Sequence, residues 1–140
     1  MVDARQLAQL TDVKFRVALA ELARLTAEED RLRAALDEMD GAARNALTEA
    51  SRIPGMSSLG ADHLWRGWLI SQRRELTMEL ARISARKADA RARTLREGGR
   101  AQAADGLAKE AERDAARDRR RRQEQALQAE IAMRLGVGRP

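Results

Sequence analysis

The sequence predicts an all-α chain, a long antiparallel two-helix coiled-coil hairpin whose second helix is longer than the first. Three observations carry this. The 140 residues include 28 alanines, 35% charged residues and only two prolines, a mix rich in strong helix formers. One Phe, two Trp and no Tyr leave little aromatic volume for a globular core, so the core is expected to be a thin seam. The helix-forming text breaks once, at Ile53-Pro54-Gly55-Met56-Ser57-Ser58-Leu59-Gly60. A single hairpin is therefore expected over residues 1–140, with helix one at 3–52, the loop at 53–60 and helix two at 61–135.

Helix one opens on Asp3, a fitting N-cap, with Gln6 three residues on at the spacing of a capping box. Positions 22, 25, 29, 32, 36, 39, 43 and 46 read Leu, Leu, Glu, Leu, Leu, Met, Ala, Ala, an alternating three-four seam. Glu29 is its one charge, the kind of layer that weakens a seam and helps fix its register. Upstream, Leu7, Leu10, Val13, Phe15, Val17, Leu19 and Leu22 are apolar on more than one face, so that end has surface for a contact besides helix two.

In the loop, Pro54 cannot continue a helix and Gly55 tolerates positive φ. Ile53, Met56 and Leu59 make the tip apolar. They either plug the open end of the seam or present a contact to a partner.

Helix two starts near Asp62, whose charge suits the helix N-terminus. Its expected seam runs through Trp65, Leu69, Gln72, Leu76, Leu80 and Ile83, then Ala88, Ala92, Leu95, Gly99, Ala103, Leu107 and Ala111. A turn centred at residues 56 to 57 pairs positions whose numbers add up to about 113. That rule sets Ala43 and Ala46 against Leu69 and Trp68, Leu25 and Leu22 near Ala88 and Ala92, and Phe15 near Gly98-Gly99. Bulk then alternates between the helices, as interdigitated packing requires. The glycine pair costs roughly 1 kcal/mol per residue, which close approach of Phe15 could offset; a hinge is the other reading. Residues 111–135 would run roughly 35 Å past the start of helix one at 1.5 Å per residue. This overhang carries Arg113, Arg117, Arg119, Arg120, Arg121 and Arg122, then Leu127, Ile131 and Leu135 at i, i+4, i+8. It reads as a docking element or as a solvated end.

The chemistry is sparse. There is no cysteine and one histidine, His63, so metal sites and catalytic triads lack their parts; neither enzyme activity nor a cofactor is expected. No phosphate-cradling glycine loop is present, and a two-helix hairpin is expected to offer no concave pocket. No apolar run reaches bilayer length or resembles a signal peptide, so a cytoplasmic protein without membrane insertion is expected. Net charge is +5, concentrated in the second half; 24 of the 27 basic residues are Arg, which suits bidentate contacts or reflects genomic codon bias.

Two further surfaces stand as partner candidates. Arg82, Arg86, Arg93, Arg96 and Arg100 line one helix face, either a solvated face or a surface for an acidic partner or a nucleic-acid backbone. Trp65 and Trp68, three apart, cannot both sit centrally in a narrow seam, so one is expected at a partner site.

These features resemble a family. Leu7-Ala8-Gln9-Leu10 followed by Lys14, Ala18, Leu22 and Leu32, and Trp65-Arg66-Gly67-Trp68-Leu69-Ile70 after the loop, are similar to the flagellar type III export stalk proteins, the FliJ family, with YscO-like injectisome proteins as relatives. Leu69 stands where that family has an aromatic residue, and tyrosine is absent. The resemblance implies a non-catalytic hairpin that inserts into the hexameric export ATPase ring and links it to the membrane export gate, with export chaperones as further partners and membrane association only through them. The rival expectations are a basic coiled coil that binds nucleic acid and a scaffold that dimerises through the overhang. The lack of aromatic residues between the arginines weighs against a single-strand binder.

Overall fold

The computed structural model describes residues 2–52 and 61–136, the side chains of 50, 61 and 62 excepted. It holds two helices, α1 (Ala4–Arg52, 49 residues) and α2 (Ala61–Arg134, 74 residues), which form an antiparallel hairpin. The apolar tip expected at Ile53, Met56 and Leu59 lies outside the described residues.

α1 begins where the capping box places it. Asp3 Oδ1 accepts the Gln6 N–H at 2.7 Å and Gln6 Oε1 accepts the Asp3 N–H at 3.2 Å, so two otherwise orphaned amides are satisfied. α2 ends with Gly136 at φ 67°, its N–H donating to the Met133 carbonyl. Only glycine takes that left-handed backbone at little cost, which is why the helix stops there. Among the described residues, no helix is long and apolar enough to cross a membrane.

The chain divides into two compact units. In the unit Arg16–Leu95, the expected α1 seam holds throughout: Leu25, Glu29 and Leu32 are buried, and Leu22, Leu36, Met39, Ala43 and Ala46 half-buried. Leu25, Leu32, Ile83 and Ala90 form the core, with Leu22, Leu76 and Leu80 packed against it. The cross-helix register is read from three pairs. Arg73 Nε donates to Asp40 Oδ1 at 3.0 Å, Lys87 Nζ lies 3.6 Å from Glu29 Oε1, and Thr94 Oγ1 donates to the Ala18 carbonyl at 3.3 Å. Each pair's numbers add up to about 113, allowing for the reach of lysine, in line with the predicted pairing.

The path of the α2 seam past Ile83 is a correction. Ala88, Ala92 and Leu95 are exposed, Leu95 at 73%, while Lys87, Ala90 and Thr94 face α1. Leu25 accordingly packs with Ala90 and not with Ala88 or Ala92. The physical reason is helix geometry: a step of five from 83 to 88 leaves the three-four row, whereas 83, 87, 90, 94 keeps it. In an alanine-rich helix several faces look apolar, and residue type misleads where position does not.

In the unit formed by Met1–Phe15 and Arg96–Pro140, Phe15 meets Gly98. A Cβ placed on Gly98 would fall 3.1 Å from Phe15 Cε1, so glycine is what allows the ring to lie against the α2 backbone; Gly99 has nothing within 4 Å. Ala104 is buried, with Ala4, Ala8 and Thr11 on α1 and Ala101 and Ala108 on α2 half-buried beside the seam. Gly99, Ala103, Leu107 and Ala111, expected on the seam, are exposed for the same reason of phase. From Lys109 to Gly136 every residue is exposed except half-buried Ala132.

Candidate docking groove and exposed arginine faces

The expectation of no concave pocket is overturned. Near the loop ends of the helices, Met39, Asp40, Ala43 and Leu47 of α1 and Trp65, Arg66, Leu69, Ile70 and Arg73 of α2 line a groove of about 440 Å³. It arises because Ala43 offers only a methyl group where α2 presents indole and branched side chains, so the seam widens without closing. The lining is apolar except for Arg66 and for Arg73 and Asp40, which make their ion pair. A smaller depression of about 300 Å³, lined by Ile70, Arg73, Arg74, Thr77 and Met78, continues along α2.

The two tryptophans part as their spacing requires. Trp65 is half-buried and lines the groove, while Trp68, 56% exposed, points away from the seam. Ile70, expected only as part of a motif, lines both depressions. Met39, Leu47, Arg66 and Arg73 were not singled out as contact residues from sequence. The pairing rule sets small Ala43 against Leu69, which reads from sequence as interdigitated packing; in the structure the same mismatch leaves a gap.

The arginine stripe separates by unit. Arg82, Arg86 and Arg93 are exposed in one; in the other, Arg96 is exposed and Arg100 Nη1 lies 3.1 Å from Glu97 Oε1. Glu97 Oε2 is buried without a hydrogen-bond partner. On α1, Glu21 accepts two hydrogen bonds from Arg24, at 2.7 and 3.1 Å. Those bonds, helped by the charges of Arg24, Arg93 and Arg86, hold the Glu21 carboxyl below its ordinary value of 4.5. Arg93 and Arg86 make the smallest of these contributions, which places the two arginines on the side of the hairpin that carries Glu21.

The end of α2 is basic and open. Arg117, Arg119, Arg120, Arg121 and Arg122 are all exposed, and Arg117 lies 3.7 Å from Asp114 within the same helix. Beyond them Leu127, Ile131 and Leu135 are exposed on one side of the helix. Near the start of α1, Leu7, Leu10 and Val13 are exposed as well, which answers the apolar pattern on its second face. His63 is exposed, and among the described residues no group of three or more His, Cys, Asp or Glu could hold a metal ion.

Compared with protein-family models, curated proteins and solved structures, the chain matches none.

Proposed function

We propose that this protein is a non-catalytic central-stalk and escort component of a flagellar type III protein export apparatus, joining the hexameric export ATPase ring to the export gate. The observation that carries the reading is the last third of α2: helical to Arg134, exposed from Lys109 onward but for Ala132, and dense in arginine between 117 and 122. A helix this long without tertiary packing is suited to being received by another protein. In this reading Arg117, Arg119, Arg120, Arg121 and Arg122 sit in or near the ATPase ring. The groove with Trp65, together with Trp68 and the tip residues Ile53, Met56 and Leu59, meets the gate or an escorted chaperone. The protein acts in the cytoplasm, at the membrane only through its partners, and needs no cofactor.

Affinity capture from cells with mass spectrometry tests the reading, and recovery of a hexameric ATPase of an export system is the expected result. Cysteines placed at Arg120 and Trp68 should cross-link to the ATPase and to the gate or chaperone respectively. Intact motility and secretion after deletion of the gene would overturn the proposal, and cross-linking of the ATPase at Trp68 alone would reverse the orientation. The nucleic-acid alternative rests on Arg82, Arg86, Arg93, Arg96 and Arg100, but the Glu21 flank and the Arg100–Glu97 pair take up part of that charge. Steeply salt-dependent binding to duplex or single-stranded DNA would favour it.

A further inference from the structure

Among the described residues of the Arg16–Leu95 unit, Glu29 is the one acidic side chain that is buried, 4% exposed, between Leu25 and Leu32 on α1. A carboxylate there is stable only if a cation meets it. Two do: Arg33 Nη1 at 2.5 Å and Lys87 Nζ at 3.6 Å, both on Glu29 Oε1. They are not equivalent. Arg33 sits one turn along the same helix and accompanies Glu29 in any pairing of α1 with α2, whereas Lys87 comes from α2 and meets Glu29 in one register only.

The apolar layers of this seam discriminate poorly between registers. Leu22, Leu25, Leu32 and Leu36 on α1 and Leu76, Leu80 and Ile83 on α2 would pack after a shift of seven residues, about 10 Å along the helix axis. Such a shift would set Glu29 near Leu80 or Thr94, neither of which carries a charge. It would also remove Thr94 from the Ala18 carbonyl, to which its hydroxyl donates at 3.3 Å, and so separate a second polar contact. Both slips would dismantle the groove, which depends on Ala43 standing across from Leu69 and Ile70.

We infer that the Glu29–Lys87 pair, seconded by Thr94, is a register lock: it contributes little net stability but selects the single helix pairing in which the groove exists. This holds for the hairpin whatever occupies the groove, so it survives or falls independently of the proposed export role.

The chain has no cysteine, which makes the test direct. Asp40→Cys with Arg73→Cys, joined by a short bismaleimide, reports the native register, because the two side chains meet across the helices there at 3.0 Å. Asp40→Cys with Arg66→Cys and Leu47→Cys with Arg73→Cys report the two slipped registers. With the lock intact, the reagent should join the native pair and leave the slipped pairs below roughly one chain in a hundred. In the Glu29→Leu/Lys87→Leu background the melting temperature should hold or rise, while slipped cross-links appear in roughly a tenth of chains or more. The Glu29→Gln/Lys87→Gln background, which keeps side-chain size and polarity but removes the charge, should slip as well. Cross-linking of the native pair alone in both backgrounds would overturn the inference, as would a fall in melting temperature in the Leu background without slipped cross-links.

Discussion

Gly98 and Gly99 are adjacent in one helix and differ in one respect, the ring of Phe15, so they form a controlled pair. A glycine in a helix interior costs about 1 kcal/mol relative to alanine. At Gly99 a new Cβ meets nothing within 4 Å, so Gly99→Ala should recover that whole amount, a rise of about 4 °C in melting temperature for a chain of this size. At Gly98 the new Cβ would lie 3.1, 3.4 and 3.5 Å from Phe15 Cε1, Cζ and Cδ1. The ring must withdraw by a few tenths of an ångström, and pushing a side chain off its preferred rotamer costs about 0.5–1.5 kcal/mol. The two effects nearly cancel, so Gly98→Ala should gain less than about half of what Gly99→Ala gains. Removing the ring separates them: in a Phe15→Ala background, Gly98→Ala should again be worth about 1 kcal/mol. Thermal and urea unfolding followed by far-UV circular dichroism measure the parent, the three single variants and the Phe15→Ala/Gly98→Ala double variant, and so the cycle between positions 15 and 98. Equal stabilisation by the two alanines, or no larger gain at 98 once Phe15 is gone, would refute the packing of Phe15 on the α2 backbone.

The other expectations concern the seam, the cap and acid stability. Leu25→Ala should cost about 3 kcal/mol, and Leu95→Ala less than about 0.5 kcal/mol, because Leu25 is 2% exposed and Leu95 73%; comparable losses in urea unfolding would restore the α2 path read from residue type. Asp3→Ala should cost about 1 kcal/mol and fray the first turn of α1, seen as faster amide exchange at Gln6 and Leu7. Glu21 titrates below 4.5 in the folded chain, so its contribution is complete above that pH and is lost as pH falls through the folded value. Glu21→Gln should therefore lower stability slightly at neutral pH and converge with the parent chain as pH falls below 4.5, which flattens the acid side of the stability curve; an unaltered acid limb would count against the Arg24 hydrogen bonds as its cause.

Much of the hairpin is legible without coordinates because its rules are local. The capping box at Asp3 and Gln6, the three-four row from Leu22 to Ala46 and the meeting of Phe15 with Gly98 each follow from spacing and the position of one turn. What fails is the assumption that a seam is made of apolar residues. Lys87, Thr94 and Glu97 lie on the seam side of α2, since a long amphipathic stem or an internally satisfied hydroxyl can cover a partner helix as well as a leucine does. The groove escapes for a different reason. It belongs to no residue type but to a local mismatch between Ala43 and the larger side chains from Trp65 to Ile70, and a mismatch is visible only once both helices are in register.

The exposed end of α2 bears on how the chain would respond to a partner. Past Ala108 its backbone is held by helix propensity and by contacts within the helix, Asp114 with Arg117 and Glu130 with Arg134, each worth a few tenths of a kcal/mol. Such a segment opens and closes far more often than the stretch from Leu25 to Leu32, where every opening must break the core. Its amides should exchange with deuterium early in the free chain and slow sharply when the segment is received by another molecule. The end of α2 thus provides its own reporter, and the residues that become protected would trace the footprint of whatever binds it.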